Sequence, residues 1–312
     1  MDAGTVDFGA AVAELVAQIP RGRFARCADV ARALGDVRAS AAIFRFLREH
    51  RELAAAHRVV TERGRPVAAW ALRRLREEGW SHDDARAVTT FRGGGLLVRL
   101  RDEQVRIAAK VSDRTTFRTV RTIGGVDVAY ADGQGFASLV VLRASDLAVV
   151  EEVLVQRRVG FPYIPTYLGY REFPLIEAAF RRLAEPPTVL LVDGHGRLHP
   201  ARCGIACMVG VRLDVPTIGI AKSPLVGEPD RRPRIGEAVP VRIGGAVLGH
   251  ALRMSASIKP LYVSVGHRVG PRTAVRIVKG LCRTRHPEPL RMADARARNW
   301  KEEQRKKTGR KL

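Results

Sequence analysis

Residues 123–156 read IGGVDVAYADGQGFASLVVLRASDLAVVEEVLVQ. Three β-rich runs, 123–130, 136–143 and 148–156, are joined by turn-length segments such as ADGQG, a spacing that predicts an antiparallel meander. The period then changes. FPLIEAAFRRL places Phe173, Ile176, Phe180 and Leu183 at helical spacing, and TVLLVDG (188–194) is a continuous apolar strand ending in a carboxylate. A helix near 201–213, the strand TIGIAK (217–222), a hairpin over 240–253, the strand LYVSVGH (261–267) and a helix over 271–283 follow. Three antiparallel strands followed by alternating helices and buried strands predict an α/β domain, a mixed sheet flanked by helices.

Upstream the pattern is helical. FGAAVAELVAQI sets Phe8, Val12, Leu15 and Val16 on one face. CADVARALG is a short helix stopped by Gly35, and VRASAAIFRFLREH is a second helix carrying Arg38, Arg45 and Arg48. Helix, glycine turn and arginine-bearing helix outline a helix-turn-helix that can dock DNA, although any pair of hairpinned helices with a solvated arginine face reads the same way. SHDD and FRGGG mark a linker. The expected organisation is a small, mostly helical (winged) helix-turn-helix domain over 1–80, a linker over 81–98, the α/β domain over 99–295 and a basic tail over 296–312.

Lysine and arginine exceed aspartate and glutamate by 54 to 32, a formal net charge of +22. That excess suits a binder of the phosphate backbone, and a genomic arginine bias alone would raise the two signs less unequally. No apolar run approaches the ~20 residues of a membrane span. The acidic N-terminus lacks a signal-peptide n-region, so a cytoplasmic protein is expected. Four cysteines in a chain of 312 residues do not make a disulfide framework. Cys203 and Cys207, four apart on the expected helix, read as buried thiols rather than a zinc site.

Charged side chains stand where elements begin and end. Asp127 lies in the first strand of the meander, Asp193 ends TVLLVDG, Glu172 opens a helix and His267 ends LYVSVGH. Carboxylates without a Cys/His cluster select hard cations such as Mg²⁺ or Mn²⁺. Beside a basic surface, such ions point to phosphoryl transfer. Taken singly, each aspartate could equally cap a neighbouring turn.

IGGVDVAY, FPYIPTYLGYRE, LLVDGHGRLHP, PTIGIAKSPLVG and YVSVGHRVG together resemble endonuclease V, in the order and spacing of that family and over roughly residues 99–295. The resemblance implies a ribonuclease-H-like fold. It also implies a repair nuclease that cuts DNA at deaminated bases, chiefly deoxyinosine, at the second phosphodiester bond 3′ to the lesion. It makes Asp127, Asp193 and Glu172 the metal carboxylates, with His267 assisting near the scissile phosphate. Lys222 would stabilise phosphate charge, and His199 would lie on the lesion side. Tyr163, stiffened by Pro162 and Pro165, would be a wedge inserted where the damaged base leaves the stack, with Ile164 and Leu168 beside it. Stacking contributes ~1–3 kcal/mol against an unstacking cost of a few kcal/mol. Gly194 and Gly196 would let backbone amides approach the flipped base. The chain departs from the family pattern at Thr166, where glycine is common, at His195, at Tyr167 and at Gly169.

AAAHRVV (54–60), with IPRG upstream and EEG at 77–79, more loosely resembles the DNA-binding domain of alkylguanine-DNA alkyltransferases. Ala56 stands where that family has its acceptor cysteine, and alanine cannot form the thiolate the transfer needs. Ala55, Cys27 and Ala41 depart from the same family at its proline, tyrosine and arginine-finger positions. The domain is expected to dock DNA through Arg38, Arg45 and Arg48. Two other readings stay open: an endoribonuclease for inosine-containing RNA, since 2′-hydroxyl contacts decide that choice, and a non-catalytic lesion-binding protein.

Overall fold

The computed structural model describes residues 6–80, 87–256, 259–283, 285–307 and 309. The chain divides into two units, Met1–Asp102 with Gly160–Tyr167, and Glu103–Val159 with Leu168–Leu312.

The first unit holds α1 (Phe8–Val16), β1 (Ala25–Arg26), α2 (Cys27–Leu34), α3 (Ser40–Glu49), β2 (Val59–Val60) and α4 (Ala69–Glu77). Asp7 caps α1 by accepting a 2.8 Å hydrogen bond from the Ala10 amide, and Phe8, Val12, Leu15 and Val16 are buried as their spacing predicts. α2 ends at Gly35 with φ 106°, the left-handed C-cap expected of glycine. A short 3-10 turn then leads into α3, completing the helix-turn-helix. β1 and β2 pair in parallel over two residues each. The linker differs from expectation: SHDD lies outside the described residues, and α5 (Leu96–Lys110) already begins inside 81–98. Leu96, Leu97 and Leu100 are buried, so that segment carries an amphipathic face rather than a free tether.

The second unit is built on a nine-stranded mixed sheet. Its elements are β3 (Thr122–Ala131), β4 (Gln134–Arg143), β5 (Val149–Arg158), α6 (Leu168–Phe180), β6 (Val189–Asp193), α7 (Ile205–Leu213), β7 (Thr217–Ala221), β8 (Glu228–Pro229), β9 (Ala238–Ile243), β10 (Ala246–Leu252), β11 (Leu261–His267), α8 (Pro271–Leu281) and α9 (Glu288–Lys307). The strand order is β5-β4-β3-β6-β7-β11-β10-β9-β8. β3, β6 and β7 run parallel to one another, and the meander β3-β4-β5 is antiparallel. The short central strands are buried on both faces, which is why VLLV and TIGIA read as unbroken apolar runs. Ile123, Val189, Leu191, Ile218, Val263, Val278 and Leu290 share one core.

α9 corrects the expected tail. It continues unbroken from Glu288 to Lys307, buries Ala293 and Ala297, and sets Trp300 edge-on to Phe136 at 5.5 Å between ring centroids. Residues 296–307 are therefore part of a helix seated on the sheet, with only Ala297 and Trp300 as apolar positions and hence easily overlooked. Its approach depends on Gly125, because a Cβ there would lie 2.3 Å from the Pro289 carbonyl carbon.

Two carboxylates of the first unit sit well below their usual range. Burial pushes Asp36 upward, but hydrogen bonds from Arg38 and Tyr167 outweigh it and bring the group to about 2. For Glu78 the hydrogen bond from Arg58 exceeds the effect of burial, His57 and the Gly22 amide add to it, and the result is again about 2. A depressed carboxylate pKa contributes stability that is complete above its unfolded value of about 4 and is lost as pH falls through the folded value. The urea midpoint for loss of the first unit is therefore expected to drop between about pH 5 and pH 2.5. In a chain carrying Asp36→Asn and Glu78→Gln, that drop should shrink. An unchanged acid dependence would show that the two groups do not contribute.

Candidate active site

The register of two parallel strands sets the centre of the site. Val126 pairs with Val192, so Asp127 and Asp193 follow side by side on β3 and β6. Glu172, from α6, is buried and accepts a 3.0 Å hydrogen bond from the Tyr130 hydroxyl. The Arg171 guanidinium lies over the Tyr130 ring, 4.1 Å from its centroid. The Lys222 Nζ, one residue past β7, donates to Asp193 Oδ2 at 3.1 Å. Asp294 arrives on α9, which the close Gly125–Pro289 packing seats against β3, and its Oδ2 accepts from Arg298.

These carboxylates repel one another. Burial, then the charges of Asp193 and Asp294, push Asp127 up to about 7. Burial first, with Asp127 and Asp193 adding and Tyr130 opposing, pushes Glu172 up to about 8. The Tyr130 phenol is driven well above its ordinary value, chiefly by burial, so it stays protonated and donates to Glu172. Lys222 is held above the usual lysine value because the Asp193 carboxylate outweighs partial desolvation. A cluster in which Asp127 and Glu172 hold protons more tightly than usual is short of positive charge, and its hard oxygen donors suit a divalent cation of the Mg²⁺ or Mn²⁺ kind. Among the described residues, no three acidic, histidine or cysteine side chains already converge as ligands do. The fit therefore lies in donor chemistry and charge.

His267 is not part of this cluster. β11 runs antiparallel to β7 with His267 opposite Thr217, and Thr217 also lies opposite Leu190 on β6. Three residues of strand, about 10 Å, separate that level from Asp193. His267 is buried, its Nδ1 accepts from the Ser112 amide at 3.2 Å, and burial and the adjacent Arg268 lower its pKa. A strand end signals proximity only when the strand direction is known, and β11 runs the other way.

Three further expectations change their physical reason. The Gly194 amide donates to Ile220 O and the Gly196 amide to Ser264 Oγ, both at 2.8 Å, so neither is free to face a base. Their lack of a Cβ serves packing, since one on Gly194 would lie 2.5 Å from Ile205 and one on Gly196 2.1 Å from Val265 O. Ile164 is wholly buried in the first unit and cannot flank an inserted wedge. Arg38 is committed to Asp36 through its Nε and Nη2, leaving Arg45 and Arg48 as the exposed docking candidates on α3. Other residues keep their expected setting. Tyr163 is 54% exposed, Pro162 and Leu168 are half-buried, and His199 is buried with Nδ1 accepting from the Ala201 amide. His195, pushed down to about 4 by burial, is neutral near pH 7, and its Nδ1 is buried without a hydrogen-bond partner.

The family model described as endonuclease V matches residues 105–295. The chain belongs to the endonuclease V family. An endonuclease V from Roseiflexus castenholzii is 44% identical over 197 residues, 62% of this chain and 88% of that protein. The crystal structure of endonuclease V from Streptomyces avermitilis is 36% identical with a TM-score of 0.62, over 66% of this chain and 93% of that one. Endonuclease V from Ciona intestinalis, crystallised with a 24mer DNA containing an inosine followed by a ribo-adenosine, is 28% identical with a TM-score of 0.61, over 66% of this chain and 98% of that one.

A second model, the DNA-binding domain of 6-O-methylguanine DNA methyltransferase, matches residues 7–79. In this part Ala56 is wholly buried beside His57, whose Nε2 lies 3.0 Å from Glu78 Oε1, while Arg58 also binds Glu78. His57, Arg58 and Glu78 thus form a polar group next to a side chain with no nucleophile. Cys27 offers no substitute. It is 4% exposed, and burial, reinforced by Glu62, pushes its thiol to about 12.

The sequence reading missed Asp294 and Tyr130. Asp294 had one available signal: it and Glu288 are the only acids in the otherwise basic stretch 285–299. Calorimetric titration with Mn²⁺ separates the two assignments. Asp294→Asn is expected to weaken binding by about 10-fold or more, and His267→Gln to leave it unchanged. Unchanged binding in Asp294→Asn, or a loss in His267→Gln, would overturn that grouping.

Proposed function

We propose that the chain is a DNA-repair endonuclease that recognises deoxyinosine and related deaminated bases and hydrolyses the second phosphodiester bond 3′ to the lesion. The observation that carries this reading is the carboxylate cluster of Asp127, Glu172, Asp193 and Asp294, with Lys222 beside it, in a chain of charge +22. Asp127, Asp193, Glu172 and Asp294 would hold Mg²⁺, with Mn²⁺ able to substitute. Such an ion, when bound, lowers the pKa of water and offsets charge on the reacting phosphate.

The chain's own groups do the rest. Tyr130 holds the Glu172 carboxylate in place through a hydrogen bond it cannot reverse near neutral pH. Lys222 supplies a fixed ammonium for a phosphate oxygen. Water attack on phosphorus leaves a 3′-hydroxyl and a 5′-phosphate. Tyr163 fills the gap left by the displaced base, and His199 stands on the lesion side. Arg45 and Arg48 of the N-terminal unit add phosphate contacts without alkyl transfer. Four free thiols suit the reducing conditions of the cytoplasm.

Inosine in RNA is a second substrate, supported by the ribo-adenosine that follows inosine in the Ciona complex. A 5′-labelled duplex with one deoxyinosine, its ribo-substituted match and an unmodified control decide between them in Mg²⁺. The expected result is a nick one nucleotide beyond the lesion on DNA, reduced about 10³-fold or more by Asp193→Ala. Cutting of the RNA alone would move the function to RNA. Binding without cutting of either would make the chain a lesion-binding protein.

A further inference from the structure

The segment Gly160–Tyr167 is flanked on both sides by the second unit in sequence but belongs to the first in structure. Every third residue is an anchor: Phe161 is 4% exposed, and Ile164 and Tyr167 are wholly buried. Phe161 meets Phe8 of α1 edge-on, 6.0 Å between ring centroids. The Tyr167 hydroxyl donates to Asp36 Oδ2 at 3.0 Å and lies 3.3 Å from the Leu97 carbonyl oxygen. Arg101 Nη2 completes the knot, donating to Asp36 Oδ2 at 2.8 Å and to the Tyr167 hydroxyl at 3.1 Å. Arg38 holds Asp36 from the other side.

Between the anchors the backbone is stiff and strained. The Tyr167 amide donates to Ile164 O at 3.0 Å, with Pro165 at the second position and Thr166 at φ 73° at the third. That is the signature of a type II turn, whose third position wants glycine. A β-branched residue there is costly and persists only where its surroundings over-determine it. Tyr163, carried between Pro162 and Pro165, is left 54% exposed.

We propose that the N-terminal helical unit is the clamp of the lesion-sensing loop, with Asp36, Arg101 and Tyr167 acting as positioning residues that hold Tyr163 ready for insertion. The clamp replaces by tertiary anchoring what a glycine turn secures locally. It gives the alkyltransferase-like unit a task that needs neither a nucleophile nor a lesion pocket of its own. The proposal rests on the reading of Tyr163 as a wedge.

The test uses the full chain, with Tyr167→Phe removing only the hydroxyl, Asp36→Asn removing the charge, and Tyr163→Ala as reference. The first readout is amide hydrogen exchange of peptides covering 160–167, without DNA. The second is the fluorescence of 2-aminopurine next to a deoxyinosine in a duplex, without divalent ions, so that insertion is seen apart from cleavage. Tyr167→Phe is expected to speed exchange in 160–167 roughly fivefold to tenfold, the value of one lost hydrogen bond, with 123–143 unchanged. Its fluorescence gain should fall towards that of Tyr163→Ala. Asp36→Asn should do the same, which keeps the test open should Tyr167→Phe fold poorly. Wild-type exchange and fluorescence in both variants, with a loss in Tyr163→Ala, would overturn the clamp and leave the wedge standing. A wild-type signal from Tyr163→Ala would instead overturn the wedge, and the clamp with it.

Discussion

Two negative charges on adjacent strands of a buried sheet are the constraint around which the second unit is organised. The pairing of Val126 with Val192 leaves Asp127 and Asp193 no way to avoid each other. Sliding β3 by one residue would turn Asp127 to the opposite face of the sheet and remove the repulsion, but it would also bring an apolar neighbour out of the core. The hydrophobic pattern that fixes the register therefore enforces the electrostatic cost, and the fold bears that cost where chemistry needs it. Lys222 relieves it in part, at one carboxylate only.

The rest of the cluster is arranged so that charge deficit and rigidity coincide. Glu172 is turned inward on α6 and fixed by Tyr130, itself covered by Arg171. Asp294 is delivered by a helix whose position is set by a missing Cβ at Gly125. The carboxylates are held by two strands and two helices, the placement that keeps donor atoms close to a working geometry before anything binds.

Much of this was legible in the sequence, for physical reasons that differ by element. The meander and the buried strands were readable because period-two alternation and unbroken apolar runs are local signals. Asp127, Glu172 and Asp193 were readable because each sits in a motif whose neighbours carry information. The separation of His267 from the carboxylates was not readable, because its strand direction relative to β7 is a property of topology and the sequence of LYVSVGH is silent about it. Asp294 was hidden because it lies in a basic stretch with little hydrophobic contrast and outside every motif that carried the resemblance. The burial of Ile164 and Tyr167 was hidden for a related reason. Asp36, the partner of Tyr167, lies 131 residues away in a part of the chain that reads as a separate domain.

That last point bears on modularity. Sequence comparison cuts the chain into two familiar modules laid end to end, 7–79 and 105–295. The packing does not follow the cut, because Phe161, Ile164 and Tyr167 of the second module are buried in the first unit. Neither half can be excised by a single break without leaving an unfilled slot in one piece and an orphaned strip of apolar side chains in the other. The two modules are consecutive in sequence but interleaved in the fold.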